Sequence, residues 1–509
     1  MSNPNAVAAA DAPMKTPGYA WPCLIVSLLC AVSIVFAWQW LPGVTFPVFS
    51  GWEAGINPTF QAPMMANVMG LVPIGALIMA FPTSILVRKW GPKMATCTGM
   101  ILAIIGQVIC SVFAATDFMV FLAGRFILGL GLSTTVVAGP TCVSVWFPHG
   151  TRGRAMAIWS TWAPIGIFTI NAISSSVLGA VGGDMTMFLW IWAIVMVVIL
   201  VLFFFVFREP KGDEVSEVSP ERKSFREVLP LFKSRQLWCL IIMFAIFNYM
   251  NYAFSQYLKT WLQLSTNAGG MGWDVGMAGI LGGLICACGA LAPLGGFILD
   301  KTPKHLKYIC VIAGITSLTI CCALAFHNSV PMFIAYVLFF CIGNMFLNGC
   351  CRPMVPTYVF KGGATAVGLG LSFLTIGQYI GQIPTSYVMH NFVDSMAFGM
   401  TDPMLAFWAL VPVGVIGILF SLGMKPSKPK GGEGAGKPQG SPEGKEAPGL
   451  VARAPSKADG ALTKKGTYGY ECRERIHHHE EFYEEARYHP PGSVRWLPVL
   501  CRHRGLFLG

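Results

Sequence analysis

The chemistry-bearing residues of this 509-residue chain lie where chemistry is costly, inside long apolar runs. Arg125 stands seven residues into the run from Phe118 to Phe147, with Ser133, Thr134 and Thr135 at its centre. Asn171 interrupts the next run. Further along, Asn248 and Asn251 are three apart with Tyr249 between them, Asn344 and Asn348 are four apart, and Gln378 and Gln382 are four apart. On a helix, spacings of three and four put each pair on one face. A polar face in an apolar environment either lines a wet cavity that handles a solute or ties helices together, and both readings stay open residue by residue. For Arg125 the alternatives are a grip on an anion, whose carboxylate a guanidinium holds through two parallel bonds, and an anchor for backbone carbonyls.

The elements carrying these residues follow from composition. Hydrophobic residues make up 54% and charged residues 12%, and the mean hydropathy is +0.60. This excludes a disordered chain and makes a soluble globular protein implausible, because the apolar surface exceeds what a globular core can hide. Twelve runs are long enough to cross a bilayer as helices: 21–41, 64–87, 94–115, 118–147, 155–180, 185–207, 237–258, 277–299, 308–326, 331–351, 364–389 and 403–424. The expected fold is an all-α integral membrane protein of twelve transmembrane helices. Fourteen of the sixteen cysteines fall between Cys23 and Cys351, mostly inside these runs, so neither a disulfide framework nor zinc spacing is read.

The net charge of +11 points to the membrane surface, since most basic residues flank the runs. Seventeen Lys and Arg fall in the even-numbered links and one, Lys259, in the odd-numbered links, which puts both termini in the cytoplasm. The chain divides into a cytoplasmic leader (1–20), a first six-helix bundle (21–207), a polar linker (208–236), a second bundle (237–424) and a disordered tail (425–509). His477, His478 and His479 in the tail, near Cys472, lack the fixed geometry of a metal site.

The two bundles repeat at an offset of about 212 residues. Ser84-Ile85-Leu86-Val87-Arg88-Lys89-Trp90-Gly91-Pro92-Lys93 aligns with Gly296-Phe297-Ile298-Leu299-Asp300-Lys301-Thr302-Pro303-Lys304-His305, and Gly131 aligns with Gly343. The chain here resembles the major facilitator superfamily, whose charged motif G-x-x-x-D-R/K-x-G-R-R/K follows spans two and eight. Gly296, Asp300, Lys301 and Lys304 fit the second copy. Lys89, Gly91 and Lys93 fit the first, with Arg88 in place of the Asp. Arg125-Phe126-Ile127-Leu128-Gly129-Leu130-Gly131 is similar to that superfamily's R-x-x-x-G-x-G. The resemblance implies two pseudo-symmetric six-helix bundles, a cytoplasmic gating latch at the charged motifs, and a central cavity lined by spans one, four, seven and ten.

What is missing also narrows the reading. No Asp or Glu falls inside any of the twelve runs, which disfavours proton coupling through a buried acid and a cationic substrate. The sequence around Trp146-Phe147-Pro148 and Gly153-Arg154-Ala155 resembles branches of the superfamily that handle oxalate, monocarboxylates or nitrate. For nitrate that resemblance implies an Arg just before Pro82, where Ala80 stands. Pro164 is expected to kink the fifth span. The expectation is a transporter of a small organic anion, a facilitator or exchanger in an inner membrane. It would work as a monomer with a small-molecule substrate and the lipid bilayer as its partners, without cofactor, metal, nucleic acid or catalytic site. The rivals are an efflux pump for apolar compounds, which Trp38, Trp40, Trp159 and Trp162 would suit, and a membrane sensor or scaffold acting through the tail.

Overall fold

The computed structural model describes residues 16–61, 64–147, 155–210, 233–263, 266, 270–301, 306–325, 329–359, 363–397 and 410–424. The tail's histidines, Cys472, Lys304 and most of the 208–236 linker lie outside them. Among the described residues there is no strand. Among them seven helices are long and apolar enough to cross a membrane, and each of the twelve apolar runs carries helix, as follows. They are α1 (Ala20–Gln39), α2 (Met65–Val87), α3 (Lys89–Phe113), α4 (Phe118–Ser144), α5 (Trp162–Ala180), α6 (Met185–Val206), α7 (Arg235–Gln263), α9 (Leu306–Ala325), α10 (Val330–Val359), α11 (Gly363–Ala397) and α12 (Leu410–Leu422). The eighth is broken into α8a (Val275–Ala287) and α8b (Ala292–Lys301) by a 3-10 turn, Cys288–Leu291.

Local chemistry sets several boundaries. Asp117 and Asp184, in the short links before α4 and α6, cap those helices. Each carboxylate accepts from the second and third backbone N–H, at 2.9 and 3.2 Å and at 2.8 and 3.2 Å respectively. The chain turns from α2 into α3 at Gly91 in the first turn of α3, where a φ of +80° suits only glycine. Pro164 sits in the first turn of α5, just past a break at Ser160 and Thr161, where the missing N–H costs nothing. α7 and α10 run further than the apolar runs do, so Lys259 and Arg352 are helical residues rather than link residues. α11 likewise continues past its run, so His390 and Asp394 belong to its last turns.

The repeat reappears in packing. Gly131 lets α4 meet α3 at Gly99 and Ala103, and Gly343 lets α10 meet α9 at Ala313 and Thr316. In each half a glycine at the corresponding position brings two helices to backbone contact. Buried apolar residues form two clusters, one drawn from Ala20 to Phe207 and one from Leu237 to Met424. Two side chains of the second half, Tyr252 and Tyr379, are packed in the cluster of the first.

The ends of the first half meet. The Tyr19 hydroxyl donates to Val206 O at 2.5 Å, and Trp146 Nε1 donates to Arg208 O at 2.8 Å. The Arg208 guanidinium lies 4.7 Å from the Tyr19 ring centre and 5.2 Å from that of Trp146, a paired cation–π contact joining the start of α1 and the ends of α4 and α6.

Candidate functional site

Arg125 is fully buried, and its guanidinium is spent on the protein. Nε donates to Val68 O at 2.8 Å, Nη1 to Ala37 O at 2.7 Å and Nη2 to Trp38 O at 2.8 Å, with Met69 Sδ 3.7 Å from Nη2. Ala37 and Trp38 belong to the last turn of α1, whose carbonyls have no partner within their helix. Four residues on, Gly129 lies on the same face of α4 and packs directly on Val72 O, one turn along α2 from Val68. The R-x-x-x-G spacing is thus a stripe along α2, in which the arginine and the glycine each meet a backbone carbonyl. Arg125 clamps three helices, which is the carbonyl-anchoring alternative of the sequence reading.

At the first charged motif, the Glu209 carboxylate lies within 2.7 Å of where a Cβ on Gly91 would stand, and Lys93 Nζ sits 4.8 Å from the Phe204 ring centre. Lys89 is exposed. Arg88, Gly296, Asp300 and Lys301 occupy helical backbone, but the side chains of Arg88, Asp300 and Lys301 lie outside the described residues.

Between the halves runs a seam with polar contacts at several depths. At one end of it, Gln256 Nε2 of α7 donates to Gln39 Oε1 of α1, Gln39 Nε2 donates to the Tyr252 hydroxyl at 3.5 Å, and Trp38 stacks on Tyr252 at 5.9 Å. Nearby, the Tyr387 hydroxyl of α11 donates to Asn67 Oδ1 of α2 at 3.1 Å. At the other end of the seam the same two helices meet again, with Ser84 Oγ and Ser372 Oγ 2.6 Å apart. Midway, Arg352 Nη2 of α10 donates to Gln378 Oε1 of α11 at 3.1 Å. Beside it Tyr379, fully buried, faces Ser133 near the middle of α4. Ser133 Oγ is buried and has no other hydrogen-bond partner among the described residues.

The other predicted residues distribute around this seam. Thr134 is buried, donates to Leu130 O at 2.8 Å and accepts from Thr83 of α2 at 3.4 Å. Asn248 Nδ2 returns to Phe244 O of its own helix at 2.8 Å. Tyr249 and Asn251 are partly exposed on α7. Asn171 Nδ2 donates to Ile167 O at 2.7 Å, its Oδ1 is buried without a partner among the described residues, and its backbone carbonyl abuts Gly279 of α8a. Gln382 lies one turn beyond Gln378, with Oε1 buried and likewise unmatched. Asn344 and Asn348 lie on the α10 backbone, and their side chains are outside the described residues.

Sequence reasoning missed Arg352 because the apolar run ends at Cys351, and Gln39 and Gln256 because isolated glutamines near span ends carry no spacing pattern. The four tryptophans that suited an apolar-compound pump are all core residues, at most 3% exposed. Trp159 Nε1 donates to Ser27 Oγ at 3.1 Å.

Against known proteins, the sequence profile described as Major Facilitator Superfamily matches residues 28–386. The chain belongs to the Major Facilitator Superfamily. It is therefore an all-α, multi-pass membrane protein of a family of transport proteins, not of enzymes. Among curated superfamily relatives, it is 23% identical over 284 residues to the "Probable L-galactonate transporter" of Escherichia coli (strain K12), covering 51% of this chain and 60% of that one. It is 30% identical over 110 residues to the "Sugar transport protein MST7" of Oryza sativa subsp. japonica, covering 22% of this chain and 21% of that one. The chain thus matches less than two thirds of the length of either relative. A solved superfamily structure, a bacterial homolog of the human lysosomal transporter Spinster in an inward-facing and unoccupied conformation, superposes with a TM-score of 0.59. It covers 80% of this chain and 97% of that one at 16% identity, which is a likeness of fold.

Proposed function

We propose that this protein is a secondary transporter that moves a small hydroxylated solute, an organic anion such as a sugar acid, by alternating access of its two halves. The observation that carries the reading is the polar seam. Between the halves stand the partly exposed Arg352, two glutamines and the buried Ser133 hydroxyl beside Tyr379, with Gln382 Oε1 buried and unmatched among the described residues, in a region where unmatched polar groups are costly. The relatives named for galactonate and for sugars support a polyhydroxylated solute, and a sugar acid combines that with the anionic character read from the acid-free spans.

In this reading Thr134, Asn171, Asn248, Tyr249, Asn251, Asn344, Asn348, Gln378 and Gln382 contribute to the solute path. Arg125 holds α1, α2 and α4 together so that the path keeps its shape. Arg88, Lys89, Gly91 and Lys93, with Gly296, Asp300, Lys301 and Lys304, form the cytoplasmic gating motif. Both termini face the cytoplasm of an inner membrane, as the basic links require, and one copy suffices for transport.

Counterflow in proteoliposomes tests this. Vesicles loaded with galactonate, lactate, galactose or myo-inositol should accumulate the matching labelled solute through the full chain, and the carboxylates should be preferred. Accumulation confined to apolar compounds would overturn the reading in favour of an efflux pump. Removal of residues 430–509 should leave counterflow intact, whereas a sensor acting through the tail would lose its output.

A further inference from the structure

We propose that Arg352, rather than Arg125, is the residue that takes the carboxylate of the solute, in a site completed by Gln378, Tyr379 and the Ser133 hydroxyl of the opposite half. The inference rests on the transport reading above and sharpens it to one side chain.

The two arginines differ in how they spend their donors. A guanidinium has five N–H groups in a planar fork. Arg125 directs its fork at three carbonyls and a thioether and is sealed from solvent. Arg352 makes one hydrogen bond among the described residues, to Gln378, and remains partly exposed although it lies on a membrane-spanning helix two turns from the end of α10. A charge held between helices needs water or an anion to replace its hydration, and the protein offers it no carboxylate among the described residues. The bond from Nη2 to Gln378 fixes the plane of the fork and leaves its remaining edge for a bidentate partner.

The surroundings fit a small hydroxylated monocarboxylate. Tyr379 flanks the guanidinium and reaches into the packing of the first half, where it faces Ser133. Ser133 Oγ, buried beside the Tyr379 hydroxyl, and Gln382 Oε1, buried and unmatched among the described residues, supply partners for solute hydroxyls. Since Arg352 and Ser133 belong to different halves, a solute touching both would draw the halves together at the depth where access must switch.

The test compares galactonate and lactate with galactose and myo-inositol, using the full-length wild type, Arg352→Gln, Arg352→Lys and Gln378→Glu. Gln378→Glu puts a carboxylate on the guanidinium and so occupies the site with an internal ion pair. It keeps the question answerable if Arg352→Gln does not fold. The expected result is that Arg352→Gln and Gln378→Glu, eluting as folded protein, weaken carboxylate uptake at least about tenfold. Arg352→Lys, with the charge but not the fork, falls between, and for Arg352→Gln the ratio of carboxylate to neutral uptake drops by a similar factor. Carboxylate uptake within twofold of wild type in a folded Arg352→Gln or Gln378→Glu overturns the assignment. A wild type that accumulates galactose or myo-inositol but no carboxylate overturns it too, and leaves standing the transport of a hydroxylated solute without its anionic part. A wild type that accumulates none of the four overturns both.

Discussion

At Arg125 three carbonyls from two helices converge on one side chain, so replacing it orphans several polar groups at once. Each buried acceptor left unmatched costs about 1–3 kcal/mol. Arg125→Gln should therefore lose about 3 kcal/mol or more of stability, read as a marked fall of the thermal midpoint in detergent. Arg125→Lys should fall nearly as far, because an ammonium cannot span Ala37, Trp38 and Val68 together. A midpoint unchanged in both variants would dismiss the clamp. At this scale the sequence was legible in part. An arginine deep in an apolar run is visible as an anomaly, and both of its possible roles can be stated. Which role holds depends on where the last carbonyls of α1 fall, and that is set by tertiary packing. Arg352 was hidden for the opposite reason, since a charge at the edge of an apolar run looks like an anchor until the helix is seen to continue to Val359.

Among the helices the decisive residues are those with no side chain. Gly129 meets Val72 O and Gly131 meets the backbone of α3, so α4 is wedged between α2 and α3 at backbone distance. Gly129→Ala should lower the yield of folded protein and its thermal midpoint, because a methyl group there collides with backbone that cannot rotate away. Gly179→Ala, near the end of α5 with open space around its position, should be neutral or slightly stabilising, by about 0.5 kcal/mol. Equal midpoints for the two variants would refute the wedge. Helix existence was readable from the apolar runs, and the repeat from the pairing of Gly131 with Gly343. Helix ends were not, because α7, α10 and α11 continue through polar residues, among them Lys259, which packing buries.

For the molecule as a whole, α2 and α11 are in contact at Asn67 and Tyr387 and again at Ser84 and Ser372. Alternating access requires at least one of these contacts to open during a cycle. A Ser84→Cys/Ser372→Cys pair, oxidised in a background lacking other reactive thiols, should arrest counterflow, and reductant should restore it. Undiminished counterflow in the cross-linked protein would mean that this part of the seam stays shut throughout. None of these contacts across the seam was foreseen, since pairs separated by 288 and 320 residues leave no local pattern in the chain.

The junction of Tyr19 with Val206 has a topological consequence. Because the first half begins and ends at one hydrogen bond, with Arg208 pinned between Tyr19 and Trp146, its six helices form a closed circuit rather than an open string. Such a circuit is indifferent to where it is cut. A permuted gene that joins the two ends through a short peptide and opens the chain in the link between α3 and α4 would encode the same bundle with new termini on the opposite face.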